Sequence, residues 1–437
     1  MVDVNKRLKV DRSLEIWRRA EESIYLGVQT MSKSPKAHAF GAFPIYIDHG
    51  KDAHIFDVDG NEYIDYVCSF GPIILGHGYP RIVEAVKKQL ERGVLFSLSN
   101  ENEVILAEEM IDSIPCAEMV RFLKTGAEAT TAAVRLARAY TGRDKILHCG
   151  YHGWNDWYAA TYRKSEKGVP KALEDLIFSF KFNDINSLKA LIDREGPDVA
   201  GIIITPLSGA EPTKEFLEGA KKLAHDNGSL LIFDEMFTGF RLAMGGAQER
   251  YGVIPDIATF AKAMANGFPI SAIASRKDIF ANCSELSISS TYAGEILSLV
   301  AGIETIRELR EKKVQEYTGE YGERLMEGLK EISCSTSMPL QVVGAPQLPY
   351  LNFDVDKEVY EDVWTLYLQE MAKRGVLVRR KMYMYITYTH SEADLKKTLD
   401  AAEGALLVVD KALKNGDIKS YLQTVAPSEP SYLSISR

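Results

Sequence analysis

Between about residues 80 and 300, short and uniformly apolar runs alternate with amphipathic stretches of helical period. No other feature of the chain constrains its fold as tightly. Runs such as Leu230-Leu231-Ile232-Phe233 carry no polar face, so both of their sides must be covered, as in parallel strands flanked by helices. The spacing predicts strands over 120–123, 145–148, 199–205 and 229–234, with a helix over 127–140. Strand and helix taken in turn imply a doubly wound α/β domain. Upstream, a helix is expected over 12–25, a loop over 33–42, and short strands over 45–48, 54–57 and 63–67, the last two joined by the turn Asp59-Gly60-Asn61. After Ile303 comes a long charged helix and then α+β patterning, so a domain boundary is expected between about 303 and 320.

Composition narrows the function. The 437 residues hold 52 Lys and Arg against 61 Asp and Glu, a net charge of −9 that argues against a nucleic-acid footprint. No apolar run approaches the ~18 residues of a membrane helix, and the start lacks a secretory apolar core. Five scattered cysteines without a CxxC fit reduced thiols. A cytoplasmic enzyme without membrane or nucleic-acid partners is expected. The eight histidines show no metal-ligand spacing, and Asp57-Val58-Asp59-Gly60 reads as a turn, so no metal is expected.

Three places can carry chemistry. The strand-to-helix turn Lys124-Thr125-Gly126-Ala127 offers free backbone N–H groups at the positive end of a helix dipole, where a phosphate fits. Many α/β turns contain glycine for structural reasons alone, and neither GxGxxG nor GxxxxGK[ST] is present. Asp234-Glu235 ends an apolar run at the sheet edge where ligands bind, although taken alone a strand-end acid is more often a cap or a surface group. Lys262 follows the apolar residues 257–260, which could desolvate it for Schiff-base chemistry; otherwise it is an ordinary solvated lysine. Together the three meet the needs of pyridoxal phosphate: a lysine for its aldehyde, a carboxylate for its pyridine nitrogen and a cradle for its phosphate. Tyr151, in Gly150-Tyr151-His152-Gly153-Trp154, could stack on the ring.

The segment FDEMFTGFR (233–241) followed by GVIPDIATFAKAMANGFPISA (252–272) resembles the signature of the class III pyridoxal-phosphate-dependent aminotransferases. From about 12 to 406 the chain is similar to their glutamate-1-semialdehyde aminomutase branch, with supporting segments at 56–80, 118–146 and 150–153. The resemblance implies a fold-type I α/β enzyme: a large domain with a mostly parallel sheet of the seven-stranded type, and a small α+β domain. Residues 1–70 would join the small domain, 71–310 form the large one, and 311–437 complete the small one. Lys262 matches the Schiff-base lysine, which also moves the substrate proton. Asp234 matches the pyridinium partner, Met236 and Tyr151 the groups on the two ring faces, and Thr125, Gly126 and Ala127 the phosphate loop. His152 would orient the Tyr151 loop. Thr291 matches a threonine that reaches the phosphate from the partner subunit, which implies a homodimer with shared active sites. His38, Ser69, Phe70, Trp154 and Tyr385 would face the substrate.

Several positions leave the pattern. The aminomutase's substrate-gripping arginine segment is replaced by Ser34-Pro35-Lys36-Ala37-His38-Ala39-Phe40, without arginine. The arginine of many α-amino-acid transaminases is missing from the stretch 383–390. Thr205-Pro206 stands where Glu-Pro is usual, Glu211 could serve as a displaced gateway glutamate, and Glu295-Ile296 replaces Asn-Pro. These changes touch the substrate side, so a transaminase acting on another amine and carbonyl pair is expected, with aminomutase, epimerase or decarboxylase as alternatives. A non-catalytic binding protein is disfavoured by the joint presence of Lys262, Asp234 and Tyr151. Trp154, Trp157, Tyr383, Tyr385 and Tyr388 would suit a polyhydroxylated or ring-containing substrate, or else are packing. Arg379-Arg380-Lys381 reads as a solvated charge run, with an anion site as the alternative.

Overall fold

The computed structural model describes residues 7–162 and 167–424. The chain divides into two compact units: one of residues through Phe70, Ile74–Tyr79 and from Glu316 onward, the other of Gly71–Ile73 and Pro80–Gln315.

The second unit is built on seven strands: β1 (Met119–Leu123), β2 (Lys145–Cys149), β3 (Ile177–Ser179), β4 (Val199–Ile204), β5 (Leu230–Asp234), β6 (Ile257–Phe260) and β7 (Ser271–Ser275). Their order across the sheet is β1-β7-β6-β5-β4-β2-β3. β2 pairs in parallel with β3 and β4, β4 with β5, and β5 with β6. Only β7 runs against its two neighbours, β6 and β1. β1, β2, β5 and β6 therefore end at the same edge. β4 to β7 are buried at every position, which is why their sequences show no two-residue alternation.

The helix Gly126–Thr141 packs on this sheet through the small residues Ala129, Ala132, Ala133 and Ala137. Gly201 of β4 lets it come close: a Cβ there would lie 3.3 Å from both Ala137 Cβ and Ile232 Cδ1. A capping box between Thr125 and Glu128 starts the helix, and Gly142, at φ 67°, ends it.

In the first unit, Ile47–Lys51, His54–Asp57 and Glu62–Asp65 form an antiparallel sheet, extended by a short parallel strand, Val376–Leu377. A hairpin of Leu340–Ala345 and Leu348–Phe353 and the helices Lys357–Lys373 and Glu392–Lys414 complete it. Phe353, Trp364 and Tyr367 interlock edge to face at its core. The strand expected at 45–48 lies instead at Ile47–Lys51. It is an edge strand, exposed at four of five positions, so hydrophobicity could not mark it. The expected loop at 33–42 contains the 3₁₀ turn Pro35–Ala37.

Candidate active site

Four strand ends at one edge of the large sheet supply the chemistry-bearing residues. Thr125 follows β1, Tyr151 and His152 follow β2, Asp234 ends β5, and Lys262 lies two residues past β6. Register brings the last two into neighbourhood, since Asp234 pairs with Thr259. Asp234 is buried. Its Oδ1 accepts the backbone N–H of Met236 at 3.2 Å and its Oδ2 lies 2.7 Å from His152 Nδ1. The other ring nitrogen of His152, Nε2, is buried without a hydrogen-bond partner. The contact with Asp234 thus fixes the His152 ring.

Lys262 sits at φ 50°, in the left-handed region that non-glycine residues enter only under constraint. Its Nζ stands 3.5 Å from the centroid of the Phe237 ring and makes no hydrogen bond or ion pair with the described residues. Burial lowers its ammonium pKa to about 7; the Asp234 carboxylate opposes that shift and the Arg241 guanidinium adds to it. Near pH 7 a large share of the amine is therefore neutral, the form that acts as a nucleophile.

The first turn of Gly126–Thr141 lies at the same edge. The Glu128 carboxylate takes the N–H groups of Lys124 and Thr125, at 3.0 and 2.8 Å, which leaves those of Gly126 and Ala127 at the helix start. A Cβ at Gly126 would press on Met236 Sδ at 3.0 Å, so a larger residue there needs that side chain to shift. Gly153 likewise has no room, with Ala127 Cβ 2.8 Å from where its Cβ would stand. Tyr151 packs edge to face on Tyr158, whose hydroxyl donates to the Gly150 carbonyl at 2.9 Å. Met236 and Tyr151 belong to one apolar cluster.

Glu235, next to Asp234, faces away from this chemistry. Its carboxyl is fully buried, receives Thr238 Oγ1 and the N–H groups of Ala247 and Gln248, and pins the start of the helix Ala247–Tyr251. Burial raises its pKa to about 7 against those hydrogen bonds. Glu211, considered as a gateway acid, instead receives Arg250 at 2.8 Å and the Tyr251 hydroxyl at 3.0 Å. Thr291 is exposed, and four residues on, Glu295 caps the helix Ile296–Glu311 while its Oε2 pairs with Lys124 Nζ at 3.0 Å. The Glu-Ile that stands for Asn-Pro is therefore a tie to the residue preceding Thr125.

The residues expected around the substrate divide between the units. Trp154, in the second unit, is 78% exposed, while Trp157 is buried and donates to Thr131 Oγ1. His38, Ser69, Phe70 and Tyr385 belong to the first unit. Cys68, Ser69 and Phe70 are three consecutive left-handed residues (φ 45°, 54°, 69°), held where Asp65 Oδ1 accepts the N–H groups of Val67 and Cys68. Tyr385 is buried and its N–H donates to the Tyr66 carbonyl at 2.8 Å, tying its loop to that turn. The reading of 379–381 as a solvated run is wrong. Arg379 is 8% and Arg380 3% exposed, because the strand Val376–Leu377 carries the chain through the unit's interior just before them. A charge triplet has no apolar partner pattern that could reveal this.

Comparison with known proteins agrees with this geometry. The model of the family "Aminotransferase class-III" matches residues 36–406. The 3-aminobutyryl-CoA aminotransferase of Cloacimonas acidaminovorans is 37% identical over 93% of this chain and all of its own. The glutamate-1-semialdehyde 2,1-aminomutase of Methanocaldococcus jannaschii is 34% identical over 91% of this chain and 98% of its own. Among solved structures, the pyridoxal-phosphate form of the FumI protein of Sphingopyxis sp. MTA144 superposes with a TM-score of 0.87 at 28% identity, covering 92% of this chain and 97% of that one. The chain belongs to the class III aminotransferases, which are pyridoxal-phosphate-dependent enzymes.

Proposed function

We propose that this enzyme moves an amino group between two molecules, from an amino donor to a carbonyl acceptor, with Lys262 as its catalytic residue. The observation that carries the reading is the buried Lys262 amine, its pKa lowered and without a hydrogen-bond partner, at the sheet edge that also carries the His152-held Asp234 carboxylate and the start of the helix Gly126–Thr141. The residues fit pyridoxal phosphate: a nucleophilic amine for its aldehyde, an acid partner for its pyridine nitrogen, and open N–H groups for its phosphate.

Bound there, the cofactor supplies an electron-accepting ring that acidifies the substrate's Cα–H. Lys262 Nζ would hold the cofactor through its aldehyde, and as an amine it would take and return the proton at the substrate's Cα. Asp234 keeps a proton on the ring nitrogen, with His152 fixing the carboxylate. Met236 and Tyr151 cover the two ring faces and exclude water. The Gly126 and Ala127 N–H groups and the Thr125 hydroxyl hold the phosphate. Thr291, exposed on the isolated chain, serves the phosphate of a second subunit in a cytoplasmic homodimer.

Transfer between molecules is favoured over exchange within one, because the segment 34–40 lacks the aminomutase arginine and the relative at 37% identity is an aminotransferase. That relative's name makes an amine on the β-carbon of an acyl group the first donor to try. The test is the visible spectrum of the holoenzyme mixed with single amines. A band that bleaches with a donor and returns with a separate carbonyl compound supports the reading, and Lys262→Ala should lose both responses while still folding. Product formed with no second molecule would overturn intermolecular transfer in favour of an aminomutase.

A further inference from the structure

Thr131 stands in the second turn of the helix Gly126–Thr141, and its hydroxyl is used to capacity. Oγ1 donates to the Ala127 carbonyl at 2.7 Å and accepts from Asn155 Nδ2 at 2.6 Å and from Trp157 Nε1 at 3.0 Å. A hydroxyl has one proton to give and two lone pairs to offer, so all three places are filled. In most helices a threonine hydroxyl bonds only the carbonyl one turn back. Here it also receives two donors from a segment 24 and 26 residues further along the chain. Asn155 Nδ2 donates to the same Ala127 carbonyl at 3.1 Å, and the neighbouring Thr130 Oγ1 donates to the His152 carbonyl at 2.7 Å.

These bonds join the two halves of the cofactor site, both of them within the second unit. One half is the turn of Gly126 and Ala127, with its open N–H groups. The other is the loop that carries Tyr151 and His152. Gly153 of that loop lies so close to Ala127 that a Cβ would stand 2.8 Å from the alanine's own, which stops any nearer approach. The donors to Thr131 prevent the opposite movement, separation. Trp157 also stacks on the His152 ring, with centroids 6.2 Å apart and planes 18° from parallel, and both residues are buried. A continuous path of contacts therefore runs from Thr131 through Trp157 and His152 to Asp234.

Pyridoxal phosphate joins its ring to its phosphate by a short covalent arm. A site that grips both ends must hold two protein segments at one spacing, and small errors of spacing are costly. We propose that Thr131 is a positioning residue of the cofactor site. Through Asn155 and Trp157 it fixes the loop bearing Tyr151 and His152 at the distance from the Gly126–Ala127 turn that pyridoxal phosphate requires. This rests on the site residues of the aminotransferase reading, and the test lets either fail alone.

Thr131→Val keeps the shape and leaves two donors without an acceptor, whereas Thr131→Ser keeps the hydroxyl. Wild type and both variants are loaded with pyridoxal phosphate and diluted, and the decay of the visible band is followed. Thr131→Val should release the cofactor about 10-fold faster. It should also show weaker circular dichroism per unit absorbance in that band, because the ring is no longer held in one orientation. Thr131→Ser should stay close to wild type in both. A valine variant whose apoprotein melts earlier while release and dichroism match wild type would confine Thr131 to holding the helix and overturn the proposal. Equal losses in the serine and valine variants overturn it as well. Should the valine variant not fold, Trp157→Phe decides, since it keeps a stacked ring and removes only the N–H given to Thr131: faster release supports the proposal and wild-type release overturns it. Wild type that binds pyridoxal phosphate but turns over no donor ends the aminotransferase reading, while release and dichroism still judge Thr131. Wild type that takes up no pyridoxal phosphate overturns both.

Discussion

His152 Nδ1 lies 2.7 Å from Asp234 Oδ2, with both side chains sealed from solvent. A buried carboxylate in so short a contact is held in one orientation. Asp234→Asn keeps the shape and removes the charge. Turnover should fall at least ~100-fold, the scale on which lost electrostatic support acts in a closed site, while the apoprotein's thermal midpoint moves little. Steady-state kinetics and a melting curve on one preparation check this. Wild-type turnover in the variant would remove Asp234 from the ring-nitrogen role.

The Lys262 ammonium, lowered to about 7 chiefly by burial, gives a pH prediction with a definite sign. Below pH 7 the amine is protonated and cannot attack an aldehyde; above it the amine is neutral. Cofactor uptake by the apoprotein should therefore quicken about tenfold from pH 6 to pH 8 and then level off. An ordinary lysine would keep accelerating to pH 10. Because the folded value lies below the unfolded one, the unfolded chain holds the extra proton between about pH 7 and 10.5, and apoprotein stability should rise with pH across that window. Stopped-flow absorbance tests the uptake, and urea melts at several pH values test the linkage.

Gly150 is at φ 105°, and a Cβ there would lie 2.4 Å from Thr205 Oγ1 and 2.5 Å from its Cβ. Gly150→Ala forces apart the turn carrying Tyr151 and His152 and should cost about 2–3 kcal/mol, from overpacking and from an L residue at positive φ. Adding Thr205→Gly should recover the steric part and leave about 1 kcal/mol from the backbone. Chemical unfolding of the two variants measures both. No recovery in the double variant would mean that Thr205 is not the obstacle.

What sequence could and could not reveal follows from the physics of each element. β4 and β5 were legible because strands buried on both faces read as unbroken apolar runs, and the sheet edge follows from their direction. Asp234 and Lys262 were legible because they stand where such runs stop. The contact of His152 with Asp234 spans 82 residues, and no local pattern encodes it. The burial of Arg379 and Arg380 was misread because local charge density says nothing about the tertiary environment of a short interior strand. Ile47–Lys51 was misplaced by two residues because an exposed edge strand has no hydrophobic side to pattern.

Glu295 does two things at once: its carboxylate accepts the N–H groups of Leu297 and Ser298, capping the helix Ile296–Glu311, and it pairs with Lys124 at 3.0 Å. Burial alone would raise its pKa, but Ser298 and Lys124 more than offset that and hold it below the ordinary value. The pair's contribution is therefore present above the unfolded carboxylate's pKa and lost as pH falls through the lower folded one. Glu295→Gln keeps an oxygen for the cap and loses the ion pair, so it should cost about 1 kcal/mol, whereas Glu295→Ala loses the cap as well and should cost about 2. A double-mutant cycle of Lys124→Met with Glu295→Gln should give a coupling near 1 kcal/mol, little weakened by salt because both groups are mostly buried. Since the pair joins the residue before Thr125 to the segment after Thr291, both single variants should also release the cofactor faster, read as decay of the visible band after dilution. Unchanged release with a full stability loss would confine the pair to holding the helix.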